Sequence, residues 1–201
     1  MSSTSTTTSL LAEKPKRKPN AFRDSIRMKN AAEFDPTMSK SAKLPHNTAI
    51  DLPAKARTSL VALLNQQLAN VSDLYTQTKQ AHWNVRGPEF YQLHKLFDDL
   101  AATLPEHIDT IAERAVTLGG LATGTARDAA KHSEIPEFPH EPGAMDYVKE
   151  LVKRYGQVGN SVRKAIDASD DLGDVDSADL LTAVSRELDK SLYFLEAHIR
   201  A

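Results

Sequence analysis

Residues 79–100 read KQAHWNVRGPEFYQLHKLFDDL, and one tight turn divides this stretch into the end of one helix and the start of another. Gly87 and Pro88 mark the turn, because glycine ends helices readily and proline suits a first helical position. A connection this short leaves the two helices antiparallel and side by side. The stretch therefore predicts a helical hairpin with a histidine on each arm.

The sequence on both sides of this hairpin has the apolar spacing of long helices. Over residues 52–85, apolar side chains recur three and four positions apart, which gives a helix one buried face. The same spacing continues over residues 90–118 and stops at Gly119-Gly120. Pro105 interrupts this second helix and predicts a kink, because its ring removes one backbone hydrogen bond and crowds the preceding turn.

The rest of the chain predicts two further helices after a long connection. Residues 121–143 contain three prolines and two glycines, so we expect a crossover with one short helix at residues 125–131. A third long helix covers about residues 144–168. The acidic turn DDLGDVD follows, and a fourth helix runs from about Ser177 to the end, with Asp176 or Ser177 as its N-cap.

Four long helices with a single long crossover, between the second and the third, favour an all-α, ferritin-like four-helix bundle. Cytokine bundles have two long crossovers and are disfavoured. We expect the bundle to occupy residues 52–201, preceded by an arm at residues 1–51.

The composition excludes several classes of protein. A chain of 201 residues with 40% hydrophobic and 26% charged residues suits one globular domain with a core. No segment approaches the roughly 18 apolar residues of a membrane span, so we expect no membrane partner. The chain has no cysteine, which excludes disulfide bonds, thiolate metal sites and a cysteine nucleophile.

The usual metal motif of an intrachain di-iron bundle is missing. That motif is Glu-x-x-His on facing helices, where both ligands project from one helix face. The chain has this spacing only at Glu137 and His140, within the proline-rich connection. A loop does not present the pair as a helix does, so an ordinary ferritin site is not expected.

A different set of possible metal ligands lies along the second predicted helix. His94 and Asp98 are four residues apart, as are Asp109 and Glu113, so each pair shares a helix face. The midpoints of the two pairs are about 22 Å apart along a straight helix, whereas ligands lie about 2 Å from a metal ion. Either each pair is half of a separate site, or a two-fold-related chain brings one pair onto the other. His82 could then join the cluster.

Two explanations of these residues remain open at this point. Histidine and carboxylate donors without thiolates suit iron(II), manganese or zinc better than copper(I). Alternatively, the carboxylates are solvated or paired with cations such as Arg114, and the histidine beside Trp83 is simply packed.

The segment at residues 79–100 and three others together resemble the Dps family, the miniferritins named as DNA-binding proteins of starved cells. The others are DTIAERAVTLGG at residues 109–120, RYGQVGNSVRKAID at 154–167 and SADLLTAVSRELDKSLYFLEAHI at 177–199. The resemblance covers about residues 52–201, with order and spacing intact. It is more specific than any single motif.

The resemblance implies a hollow dodecamer that oxidises iron(II), preferably with hydrogen peroxide, stores the ferric mineral and protects DNA from oxidative damage. The expected class is an oxidoreductase acting on metal ions, located in the cytoplasm with the nucleoid. It also implies roles for six residues: primary iron ligands (His82, Asp109, Glu113), second-site ligands from the partner's side (His94, Asp98) and a tryptophan that intercepts one-electron oxidants (Trp83).

The acidic turn before the fourth helix has two possible roles. The resemblance places it at a three-fold channel where carboxylates attract entering iron. Acidic residues at a helix start also stabilise the helix dipole, which is the simpler explanation. The candidate channel residues are Asp170, Asp171, Asp174, Asp176 and Asp179.

The N-terminal arm is basic and the body is acidic. Residues 1–51 contain nine basic and five acidic residues, a net charge of +4, and the remainder carries −6. Seven cations lie between residues 14 and 29, against one acid: Lys14, Lys16, Arg17, Lys18, Arg23, Arg27 and Lys29.

This charge pattern predicts non-specific, salt-sensitive DNA binding through the arm. The alternatives are a solvated tail that aids solubility, and a transit peptide, since the first residues are rich in serine and threonine. Two classes of function therefore remain: a ferroxidase and iron store, and a nucleoid-condensing structural protein with secondary or no iron chemistry.

Overall fold

The computed structural model describes residues 44–140 and 143–199. Within them the chain forms helices and connecting turns, with no strand. The helices are α1 (Ala54–Asn84), α2 (Phe90–Ala102), α3 (Leu104–Thr117), α4 (Ala126–His132), α5 (Ala144–Asp171) and α6 (Val175–Glu196). The all-helical, ferritin-like prediction is confirmed, including the short helix in the crossover. The cations predicted to bind DNA lie outside the described residues.

The apolar faces of the long helices meet in one core. The largest buried side chains come from every long helix: Leu60, Leu64, Leu68 and Leu74 of α1, Leu93 and Phe97 of α2, Leu104 and Ile111 of α3, Leu151 and Tyr155 of α5, and Leu181 of α6. No helix in the described part of the chain has the length and apolarity of a membrane span.

The second predicted helix is two helices rather than one kinked helix. It ends at Ala102, and α3 starts at Leu104 with Pro105 in its first turn. Proline has no N–H to donate, and in a first turn none is needed, so the chain restarts a helix there instead of bending one. The Thr103 hydroxyl donates to the carbonyl of Leu100 (3.0 Å) and satisfies one acceptor at the break.

The C-terminal end of α3 explains why glycine is needed at residue 119. Its φ is +88°, a conformation that side chains with a Cβ rarely adopt. The N–H groups of Gly119 and Gly120 bond back to the carbonyls of Val116 and Ala115, which closes the helix end. A Cβ at Gly119 would lie 2.6 Å from the carbonyl oxygen of His46, because the segment that contains His46 packs closely against the end of α3.

The long crossover is tied to the bundle by buried polar groups. The Arg154 guanidinium on α5 donates to the side chain of Gln77 on α1 and to the carbonyl of Glu137 (2.8 Å), and it lies 4.8 Å from the ring centre of Phe138. Glu137 and His140 lie in this connection and not on a helix, as predicted.

The start of α6 differs from the prediction. Asp174, not Asp176 or Ser177, is the N-cap, and its side chain accepts a hydrogen bond from the N–H of Ser177 (3.3 Å). Gly173, with φ +83°, turns the chain sharply after α5, so α6 begins at Val175, two residues earlier than expected.

Candidate metal centre

The hairpin of α1 and α2 brings His82 and His94 face to face. Their rings are stacked, with centroids 3.9 Å apart and planes inclined by 22°. The two residues also exchange hydrogen bonds: His82 Nδ1 bonds the carbonyl oxygen of His94 (2.8 Å), and His94 Nδ1 bonds that of His82 (2.9 Å). A carbonyl oxygen only accepts, so each Nδ1 carries a proton. In the neutral form of each ring, Nε2 then carries the lone pair that can bind a metal ion.

Asp98 lies one turn after His94 on α2, beside the same pair. Its Oδ1 is 3.8 Å from His82 Nε2 and 2.8 Å from the ammonium of Lys79. The hydrogen bond from Lys79 holds the pKa of Asp98 below its ordinary value. The carboxylate is therefore charged throughout the neutral pH range and available to a cation.

This arrangement corrects one expectation from the family resemblance. His94 and Asp98 were expected to approach His82 from a partner chain, but they lie beside His82 in the same chain. The cause is the short turn at residues 85–89, which places the last turn of α1 against the second turn of α2. One chain thus supplies two imidazoles and one carboxylate, which we call the His-His-Asp half-site (His82, His94, Asp98).

The other two predicted ligands lie on a different helix. Asp109 and Glu113 are on α3, beyond the break at Thr103, and both are exposed. Among the described residues of a single chain, no three histidine or acidic side chains converge closely enough to hold a metal ion. The sequence spacing predicts this, because the pair His94 and Asp98 is about 22 Å from the pair Asp109 and Glu113 along a straight helix.

Three aromatic side chains next to the half-site residues in the sequence are exposed. Trp83, the residue after His82, is 62% exposed, and Tyr91 is also exposed. Phe90 is exposed as well, and its ring lies 5.1 Å from that of His94. Clustered exposed aromatics mark surfaces that another protein covers. The half-site therefore opens onto a surface suited to a second chain.

The acidic turn divides into one buried and four exposed residues. Asp174 is 3% exposed, and its carboxylate binds the Arg114 guanidinium (2.7 Å) and the hydroxyl of Ser177. Asp174 thus serves as helix cap and ion-pair partner, which favours the structural explanation for this residue. The exposed members, Asp170, Asp171, Asp176 and Asp179, keep the channel role as a prediction.

Two basic side chains near these sites differ from what the sequence predicts. Arg114 was considered as a partner for the ligand carboxylates, but it binds Asp174 and Ser177 on α6. Lys79 was not singled out, although it lies three residues before His82 and so shares a helix face with it. That spacing was the signal that could have revealed it.

The chain is similar to known proteins over most of its length. Residues 61–201 match the family model of the ferritin-like domain. The chain is 47% identical over 156 residues to the DNA protection during starvation protein of Agrobacterium fabrum. That alignment covers 77% of this chain and 96% of the relative.

Solved structures show the same similarity. A Dps protein from Bacillus brevis superimposes with a TM-score of 0.70 at 32% identity, covering 74% of this chain and 100% of that one. The DPS protein from Vibrio cholerae, described as a member of a broad superfamily of ferritin-like diiron-carboxylate proteins, gives a TM-score of 0.72 at 26% identity. That match covers 81% of this chain and 100% of that one.

Proposed function

Because the chain belongs to the Dps family of ferritin-like proteins, we propose that it is a ferroxidase that oxidises iron(II), preferably with hydrogen peroxide, and stores the ferric product. The observation that carries this proposal is the half-site. Two imidazoles, each held at Nδ1 by a backbone carbonyl, stand beside a carboxylate in one chain. Nitrogen and oxygen donors of this kind suit iron(II) as the substrate.

The half-site is completed by a second chain. Asp109 and Glu113 of a chain related by a two-fold axis would supply the missing carboxylates, because antiparallel packing brings the α3 of one chain onto the α2 of its mate. The exposed aromatic surface of Trp83, Phe90 and Tyr91 supports such a contact. Further contacts of this kind would build the hollow dodecamer in which the mineral collects.

In the expected reaction, two iron(II) ions reduce one molecule of hydrogen peroxide. Each iron(II) gives one electron, and the pair reduces hydrogen peroxide with two protons to two molecules of water. Carboxylates stabilise the higher charge of iron(III), so they favour the oxidised product. Because two electrons leave together, no hydroxyl radical is released. Trp83, beside the half-site, is placed to intercept any one-electron oxidant that escapes.

Iron would reach the interior through the acidic turn. Asp170, Asp171, Asp176 and Asp179 are exposed at the junction of α5 and α6. Exposed carboxylates of one sign raise the local concentration of cations. Replacing Asp176 and Asp179 by asparagine would then slow iron uptake and leave assembly intact.

DNA protection has a second component, the N-terminal arm. The name of the Agrobacterium relative supports a role in protecting DNA, and the seven cations between residues 14 and 29 would bind phosphates without sequence preference. Many arms on one shell would add avidity to weak single contacts. With this activity we expect the protein in the cytoplasm, together with the nucleoid.

The same arm supports an alternative, a nucleoid-condensing protein whose iron chemistry is secondary or absent. An anaerobic iron(II) titration followed by hydrogen peroxide separates the two. Wild type should form ferric product rapidly, whereas the double variant His82→Ala/Asp109→Ala should fall to the rate of iron in buffer. Asp99→Ala, an exposed acid beside Asp98 on α2, serves as the matched control and should retain activity. Equal rates for wild type and the double variant would eliminate the ferroxidase proposal.

A further inference from the structure

The proposed ligand His94 has a second aromatic neighbour besides His82. The ring of Phe90, one helical turn earlier on α2, lies 5.1 Å from the His94 ring and is inclined to it by 33°. His82 stacks on the same imidazole from α1, with ring centroids 3.9 Å apart. His94 therefore has one aromatic neighbour from each helix of the hairpin.

Arg86, in the turn between the two helices, ties Phe90 to the end of α1. Its guanidinium lies 6.0 Å from the centre of the Phe90 ring, at the distance of a cation–π contact. The Nη1 of the same guanidinium donates to the carbonyls of Trp83 (3.2 Å) and Val85 (2.7 Å). Arg86 thus links the carbonyls that end α1 to the ring that contacts His94.

Core packing does not account for the position of Phe90. Its side chain is 39% exposed and lies outside the buried core of the bundle, although it contacts a proposed metal ligand. The hydrogen bond from His94 Nδ1 to the His82 carbonyl fixes one atom of the imidazole, but the ring can still pivot about that bond. A neighbouring ring restricts this pivot. It therefore restricts the direction in which Nε2 points, which must be correct to within about 10–20° for a metal ligand.

We propose that Phe90 is a positioning residue that, together with His82, sets the plane of the His94 ring and so directs its Nε2 toward the metal. The inference rests on the proposed metal site. Phe90 itself donates nothing to the metal. Its ring holds the imidazole in the binding orientation before metal arrives, so that binding requires less ordering of the His94 side chain.

This inference predicts a loss of metal affinity when the ring of Phe90 is removed. Phe90→Leu and Phe90→Met keep an apolar side chain at the start of α2 without the ring. Both should bind cobalt(II) about tenfold more weakly, since groups that orient a metal ligand typically contribute about 10- to 100-fold to affinity. The visible absorption of the bound cobalt(II) should also change, because it depends on ligand geometry. Phe90→Tyr keeps the ring and should restore the spectrum and an affinity within about twofold of wild type.

The test is an anaerobic titration of the full chain with cobalt(II), followed by visible absorption. All residues of the half-site lie in one chain, so a variant that forms smaller assemblies can be titrated as well. Phe194→Leu on α6 is the matched control, because Phe194 is equally exposed (40%) but its ring neighbour is Tyr193, 5.6 Å away. It should leave both the affinity and the spectrum unchanged. A purely structural role of Phe90 would lower the free energy of unfolding without changing the spectrum.

The possible negative results separate this inference from the proposed function. Wild-type affinity and spectrum in both Phe90→Leu and Phe90→Met would overturn the role of Phe90 and leave the proposed site standing. A loss in Phe90→Tyr as large as in Phe90→Leu would overturn that role too, since the ring is still present. Equal cobalt binding by wild type and by His82→Ala/His94→Ala would overturn the proposed metal site and this inference together.

Discussion

At the level of single residues, the proposed metal binding depends on which nitrogen of each histidine carries the proton. The reciprocal bonds between His82 and His94 use backbone carbonyls, which no side-chain substitution elsewhere removes. The fold of the hairpin itself therefore sets the orientation of the two rings that we propose as metal ligands. The sequence predicts both residues as ligands. It does not predict that they contact each other within one chain, because this contact depends on the geometry of the turn between the two helices and not on residue spacing along one helix.

The burial of Tyr155 predicts how the free energy of unfolding depends on pH. Its side chain is fully buried, and its hydroxyl lies 3.3 Å from that of Thr78. Burial raises the pKa of Tyr155 well above its ordinary value, because the phenolate would lose its hydration. A raised pKa contributes stability that is complete below the unfolded-state pKa of about 10 and is lost as the pH rises toward the folded-state value.

The measurement compares wild type with Tyr155→Phe, which has no group to ionise. Between pH 8 and pH 11 the wild type should lose about 1.4 kcal/mol of unfolding free energy relative to the variant. Urea unfolding at pH 8, 10 and 11 gives the difference. A difference that stays constant over this range would show that Tyr155 ionises as easily in the folded chain as in the unfolded one.

At the level of helices, the position of α3 depends on a polar clamp as well as on the core. Arg114 follows Glu113 directly and binds Asp174 and Ser177 at the start of α6. Because α3 is separated from α2 at Thr103, this clamp helps to set where Asp109 and Glu113 point. The clamp also joins α3, which carries the proposed ligands, to the acidic turn.

Removal of the clamp should be costly. Arg114→Met leaves the buried Asp174 carboxylate without its ion pair, and we expect the unfolding free energy to fall by about 2–4 kcal/mol. Lys149→Met, which breaks an exposed pair with Asp146, is the control and should cost less than about 1 kcal/mol. Chemical denaturation of both variants checks this, and equal small losses would mean that the clamp does not hold α3.

The sequence predicts the order and type of these helices well, because their apolar spacing is long and regular, but it does not predict that the second helix is divided in two. It predicts their ends less well. Pro105 breaks a helix that a kink was expected to preserve, and Asp174 caps α6 in place of Asp176 or Ser177. At both places, after Ala102 and after Gly173, the backbone can either form a turn or continue as a helix, and local geometry decides which. Periodicity over 15 or more residues does not resolve such choices.

At the level of the whole molecule, the arm and the bundle should be separable. Deleting residues 1–30 removes the seven clustered cations and leaves every described helix. The mobility shift of duplex DNA should disappear, while iron(II) oxidation should continue at the wild-type rate. For the full chain, the shift should weaken steeply as salt rises, since binding releases counterions from phosphate. A shift that survives the deletion would assign DNA binding to the bundle.

In the proposed assembly two chains build each iron site, one providing the half-site and the other providing Asp109 and Glu113. Complementation of inactive chains tests it most directly. His82→Ala/His94→Ala chains and Asp109→Ala/Glu113→Ala chains should each be inactive when assembled alone. Random assembly of equal amounts makes half of the two-fold pairs mixed, with one complete site in each, so about a quarter of the wild-type oxidation rate should return. A mixture no more active than either variant alone would show that the site is not shared between chains.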